Sequence, residues 1–476
     1  MEGSLTIPGG VLDRGSWLNV HNRPHRPEAA ARTGVSEGPP IVSSPRIGGP
    51  LMKIDARFEH QLLAVETEHR VHCMLELTAP PAPTDRVRPP LHLALVLDRS
   101  GSMAGRKLAV VRECSAFLVR RLAPTDELAL VTYDTEVQLV ASLAPVDPTA
   151  LLPRIAQITT GKMTNLSGGW LKGAEELRRA SGEGPRKVLL LTDGLANVGV
   201  VDHGTLVAMA RTTAESTDVG TTTIGFGEDF DEDLLTAMAD AGRGGAHYAP
   251  TPEAVPAIFQ KEFEDLVSLV AQNVSVEIRP TEAVQVLGVL NAFPTVPVPG
   301  GLQLQLGDAF AEEGRRVVFE LLVPSLAGLG VRRVADVVLR YTTVGEEIAQ
   351  HEVTIPLVVN QVSADEAAAA GADAEVTEEV VILRSARAQA RAREHADRGE
   401  FERARVVLSE AAADLRRLAP RSSKPEELLE QAEILERNVA FLSDEAYDSP
   451  SRKLMRYQQR TTSERRRRPS EDLGNP

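Results

Sequence analysis

Between residues 91 and 269 the chain alternates short apolar runs with longer stretches of helical periodicity, and that alternation excludes most architectures. The apolar runs are 91–97, 127–133, 136–141, 187–192, 219–226 and a short one near 246–249. Helical patterns occupy about 105–122, 148–158, 167–180, 203–216, 231–241 and 252–269. Strand–helix alternation predicts an α/β fold, a largely parallel sheet wrapped by helices on both faces. Leu91–Leu97 is apolar apart from one His, as a strand buried on both faces requires. The runs 127–133 and 136–141 lie too close together for a crossover, so they predict a hairpin and one antiparallel edge strand.

Chemistry-bearing residues fall where the strands of such a sheet end. Asp98 closes the first run, and the turn after it carries Ser100 and Ser102, with Gly101 between them allowing a sharp bend. Thr164 stands just before the helical stretch at 167, and Asp193 follows the run 187–192. Open α/β sheets place ligands at the carboxyl ends of their strands. Carboxylate, hydroxyl and water oxygens are the ligands of a hard cation such as Mg²⁺. D-x-S-x-S alone is a weak motif, because Ser and Asp are common in turns. Three loops in order, each beside a predicted strand or helix, are a far more specific signal.

Together these loops resemble the metal-ion-dependent adhesion site of von Willebrand factor type A domains, whose pattern maps onto Asp98, Ser100, Ser102, Thr164 and Asp193. The resemblance implies a Rossmann-like sheet. It also implies hydroxyls that bind the metal directly, one or both carboxylates acting through water, and an open position that accepts Asp or Glu from a partner protein. Mg²⁺ is the expected ion, and oxygen ligands also admit Mn²⁺ or Ca²⁺. The stretch from Ile224 through Gly227, Asp231–Leu235, Ala239–Gly245 and Tyr248 looks like bacterial members of the family.

The flanks differ in character. Residues 1–50 hold 7 Pro and 8 Gly, a composition predicted to be disordered. Residues 51–90 contain strand patterns, with Val71, Cys73, Leu75 and Leu77 on one face, and then a Pro-rich linker. Residues 271–362 read as short alternating strands of an antiparallel β-sandwich. Because an isolated hairpin is marginal, 52–80 is expected to pair with 271–360, making the α/β domain at 91–270 an insertion in the sandwich. Bacterial homologues of calcium-activated channels look similar in this layout. Residues 363–448 predict helices at about 376–398, 400–418 and 425–443. The junction Ala396–Phe401 is similar to a tetratricopeptide turn, but a helical hairpin packed on the sandwich is preferred, since solenoids need several repeats. The tail 449–476 has 8 Lys or Arg against 3 Asp or Glu and reads as a basic, disordered, solvated segment, in contact at most with the acidic body of the protein.

A net charge of −15 argues against general nucleic-acid binding. Two cysteines, Cys73 and Cys114, make no disulfide framework, and no apolar run is long enough to span a bilayer. With no secretory pattern at the N-terminus, a cytoplasmic protein is expected. No phosphate-cradling Gly loop and no H-E-x-x-H motif occurs, so no catalytic residue is nominated. The expectation is therefore a non-enzymatic, metal-dependent protein-binding protein. Two alternatives remain open: a Mg²⁺-dependent hydrolase or nucleotide-binding enzyme, and an accessory subunit of a chelatase-type ATPase, whose type A domains look like this.

Overall fold

The computed structural model describes residues 51–82, 88–344 and 349–467. The expected disorder of residues 1–50 and the end of the tail, 468–476, lie outside the described residues. In chain order the first strands are β1 (Lys53–Phe58), β2 (Leu62–Ala64) and β3 (His69–Thr78). The α/β unit follows: β4 (His92–Asp98), α1 (Arg106–Arg121), β5 (Glu127–Tyr133), β6 (Val137–Pro145), α2 (Pro148–Ala156), α3 (Leu166–Leu177), β7 (Arg186–Thr192), α4 (His203–Thr217), β8 (Val219–Phe226), α5 (Glu232–Ala241), β9 (Arg243–Ala249) and α6 (Val255–Val267). Seven strands come next: β10 (Leu269–Pro280), β11 (Gln285–Val289), β12 (Thr295–Val298), β13 (Gly301–Phe310), β14 (Gly314–Val323), β15 (Gly330–Thr343) and β16 (Gln350–Val362). The chain then forms α7 (Ala364–Ala369), α8 (Ala374–Ala396), α9 (Phe401–Leu418), α10 (Pro425–Phe441), α11 (Ser449–Glu464) and β17 (Arg466–Arg467).

The α/β sheet has the order β6-β5-β4-β7-β8-β9. All its pairings are parallel except β5 with β6, the hairpin predicted from the short connection. Every residue of β4 is buried, because helices cover both faces. One face buries Leu93, Leu95 and Leu97 with Leu108, Val111 and Phe259. The other buries Ala94 and Val96 with Trp170, Leu206 and Met238. From β4 the chain moves to β5 on one side, while β7 lies on the other. The switch point of the sheet therefore falls between β4 and β7, where a crevice opens at their carboxyl ends.

The remaining strands make the sandwich that carries this unit. One sheet runs β1-β3-β14-β11 and the other β12-β13-β10-β15-β16-β2, so strands from before and after the α/β unit share one core. Val71, Cys73, Leu75 and Leu77 face that core, as the alternation predicts. Met74 points the other way and is also buried, because Val376, Val380 and Leu383 of α8 cover the outer face of the sheet. Ile382, Ala392 and Ala396 of α8 share a further core with Ala404, Leu408 and Leu415 of α9, Leu428 and Leu435 of α10, and Met455 of α11.

The expectation of a disordered tail from 449 is overturned for its described part. Ser449–Glu464 is a helix capped by the Asp448 side chain, which accepts from the Ser451 backbone N–H. Arg466 and Arg467 pair with Gly314 and Arg315 of β14. The helix is held by charge rather than by an apolar stripe. Arg452 pairs with Glu232 of α5, with Asp233 at 2.8 Å and with Asp397 at 3.0 Å; Arg460 pairs with Asp240 at 2.7 Å, and Arg465 with Glu379 and with Glu427 at 2.7 Å. Among the described residues no helix is long and apolar enough to cross a membrane.

Candidate metal centre

The five residues singled out in the sequence come from three loops at the β4–β7 crevice. Asp98 ends β4, and its carboxylate accepts the Ser100 backbone N–H of its own loop at 2.8 Å and the hydroxyl of Thr192, at the end of β7, at 2.7 Å. Asp193 follows β7 directly and accepts the Ser102 hydroxyl at 2.7 Å on Oδ1. The hydroxyls of Ser100 and Ser102 are 3.1 Å apart. A Cβ built at Gly194 would stand 3.4 Å from Ser102 Oγ and 3.5 Å from Thr164 Oγ1, so those two hydroxyls border the same small space.

Local bonds stitch the loops into one frame. Gly101 N–H donates to the Lys162 carbonyl at 2.8 Å, and Arg99 N–H to the Tyr133 carbonyl at 2.9 Å. Thr164 is clamped to Asn197, whose side-chain oxygen accepts its N–H at 2.8 Å while the Asn197 N–H returns to its carbonyl at 3.1 Å. Thr164 reaches the site because α3 lies very close to the sheet. A Cβ at Gly169 would come within 2.4 Å of the Tyr133 ring, and one at Gly173 within 2.5 Å of Val96. Arg99, in the turn after β4, is mostly buried against Asp134 at 3.0 Å.

The electrostatics of the cluster are uneven. Asp98 and Asp193 are both fully buried. The Lys107 ammonium, from the first turn of α1, is in ion-pair contact with Asp193 Oδ2. Asp98 has no cation against it among the described residues, only hydrogen-bond donors. Its carboxyl is pushed up to about 6, chiefly by burial, with the Ser100 and Thr192 hydrogen bonds opposing and the Asp193 charge adding to the rise. Among the described residues no group of three or more His, Cys, Asp or Glu is placed to hold a metal, so hydroxyls must complete any coordination here. Three hydroxyls and two carboxylates, one lacking a counter-charge, fit a hard divalent cation. Ser102 is exposed, so solvent reaches the cluster. Two participants escaped the sequence reading. Thr192, beside Asp193, carried no separate signal. Lys107 did: it is a cation in a helix's first turn, nine residues after Asp98.

A doubly wound α/β sheet with an oxygen-rich cluster at its switch point defines a class of binding domain whose site is built from loops at one edge. Residues 92–261 match the family model of the von Willebrand factor type A domain, and this part of the chain is such a domain. A structure of a von Willebrand factor type A protein from Catenulispora acidiphila superposes with a TM-score of 0.67 at 16% identity, covering 88% of this chain and 98% of that one. The shared fold thus extends through the sandwich and helices. In sequence, the chain is 26% identical over 268 residues to the uncharacterized protein sll0103 of Synechocystis sp., covering 53% of this chain and 62% of that one. It is 29% identical over 264 residues to the E3 ubiquitin-protein ligase WAV3 of Arabidopsis thaliana, covering 50% and 32%. The chain spans less than two thirds of either relative's length. Domains of this family are in general protein-interaction modules that bind a divalent metal.

Proposed function

We propose that this chain is a non-enzymatic adaptor in which Mg²⁺, held by Asp98, Ser100, Ser102, Thr164 and Asp193, captures an Asp or Glu side chain of a partner protein. The observation that carries this reading is the solvent-reached cluster of three hydroxyls and two buried carboxylates, one without a cation. When bound, the metal supplies a concentrated positive charge that a carboxylate can ligate. The chain's own residues would hold the ion through oxygen atoms, and exposed Ser102 leaves the cluster open to solvent. Specificity comes from the surrounding loops. Met163, Leu195 and Val201 are 47%, 57% and 49% exposed on the two loops flanking Thr164 and Asp193, so the favoured partner segment carries aliphatic side chains beside its carboxylate.

The test is retention of a partner from native lysate by immobilised wild type and Thr164→Ala, each in Mg²⁺ and in EDTA. A protein held only by wild type in Mg²⁺ is expected. Identical retention under all four conditions would remove the metal centre as the interface.

A further inference from the structure

Lys107 occupies an unfavourable place for a cation. It lies in the first turn of α1, where the helix dipole is positive and the turn itself holds no acidic residue. It is nonetheless directed inward, with its ammonium on Asp193 Oδ2 and its side chain only 26% exposed. The backbone of the loop after β8 is also close, where a Cβ at Gly227 would stand 3.4 Å from Nζ. The other oxygen of Asp193, Oδ1, faces Ser102 and the hydroxyl cluster. The ammonium and the hydroxyl cluster therefore engage different oxygens of Asp193.

From this arrangement, and resting on the metal-binding reading above, we infer that Lys107 is a resident counter-ion that makes metal binding and carboxylate capture depend on one another. The formal charges show why. Asp98, Asp193 and Lys107 sum to −1; a divalent ion would bring the site to +1, and one carboxylate from a ligand would bring it to zero. Without Lys107 the same sequence runs −2, 0, −1, so the ion alone neutralises the site and the incoming carboxylate unbalances it. Lys107 thus weakens binding of the free ion, strengthens selection for an anionic ligand, and lets the metal-free domain keep two buried carboxylates. The local rule broken at the start of α1 is offset by this gain at the site.

The test is Mn²⁺ titration of the full chain as wild type, Lys107→Met and Lys107→Arg, in sodium chloride and in sodium acetate of equal ionic strength. In chloride, Lys107→Met is expected to bind Mn²⁺ at least tenfold more tightly than wild type. Acetate should tighten Mn²⁺ binding several-fold in wild type and Lys107→Arg and leave Lys107→Met unchanged. Metal-free Lys107→Met should melt at a lower temperature, restored by Mn²⁺. Equal or weaker binding by Lys107→Met, with wild type still binding, overturns the role of Lys107 and leaves the metal centre standing. Absence of Mn²⁺ binding in every protein overturns the metal reading itself. If Lys107→Met does not fold, wild type alone decides: a Mn²⁺ affinity indifferent to acetate overturns the inference.

Discussion

Lys453 joins the C-terminal helix to the loop after β8, in the sheet that carries the candidate metal centre, and replacing it with Met isolates that link. Its side chain is almost fully buried, its ammonium donates to the carbonyls of Glu228 at 2.5 Å and Phe230 at 2.7 Å, and it sits 3.9 Å from the centroid of the Phe230 ring. Hydrogen bonds from a charged donor contribute about 1.5–3 kcal/mol each, and a desolvated cation–π contact about 2 kcal/mol. Against a gross contribution of roughly 5–8 kcal/mol stands the desolvation of the ammonium, several kcal/mol, which also holds the Lys453 pKa below its usual range. Met fills much of the same volume, so the net loss should be about 2 kcal/mol. That loss is local. Hydrogen exchange of residues 227–231 and of the first turn of α11 should accelerate by about 30-fold, while β4 and β7 keep their protection. Unchanged exchange in 227–231 would refute the reasoning, because it would mean that the grip of α11 does not hold that loop.

Three further outcomes follow from the packing and the charges. Trp170 is fully buried and donates from Nε1 to the Thr221 hydroxyl at 3.0 Å, so Trp170→Ala should cost about 3–5 kcal/mol in urea denaturation; a loss below about 1 kcal/mol would contradict the described core. The carboxyl of Glu464 is held down to about 2: burial raises it, but Arg460, at 2.7 Å, and Arg466 outweigh that rise. A depressed carboxyl contributes stability that is present above its unfolded value near 4.5 and lost as pH falls through 2. Acid melts should therefore show up to about 3 kcal/mol more loss between pH 5 and pH 2 in wild type than in Glu464→Gln. Burial pushes the Cys114 thiol up to about 12 and that of Cys73 higher still, so neither should react with a thiol reagent at pH 8 until the chain unfolds; stoichiometric labelling of the native protein would contradict their burial.

The α/β unit was legible because its strands are buried on both faces and must be apolar throughout: 91–97, 127–133, 187–192 and 219–226 each lie within a residue of the observed strands. That β3 pairs with a strand of 271–360 was legible only by elimination, from a strand that needed a partner; that the partner is β14 was not. Helix α11 was not legible. Its sequence has no apolar stripe, and what orders it is a set of acidic residues on α5, α8 and α10 that no local pattern associates with it. A basic run reads as solvated unless its counter-charges are known to lie together in space. At the candidate metal centre, the five proposed ligands follow from motif and loop context, whereas the Thr192–Asp98 and Lys107–Asp193 contacts depend on how β4, β7 and α1 converge.

Placing the α/β unit between β3 and β10 has a consequence for how the chain becomes folded during synthesis. Glu76 and Arg316, which meet across adjoining strands, are 240 residues apart in sequence. When β1–β3 leave the ribosome, their partners do not yet exist, so an apolar strand face with open edges must wait while the inserted unit is made. That unit has its own core on each face of its sheet and can close first. Once it has closed, its two ends hold β3 and β10 near one another, replacing a loop of nearly two hundred residues by a rigid clip and lowering the entropy that pairing β3 with β14 must overcome. The α/β unit is thereby also the folding template of the sandwich that carries it, and a variant that slows its closure should leave β1–β3 exposed to aggregation on the nascent chain.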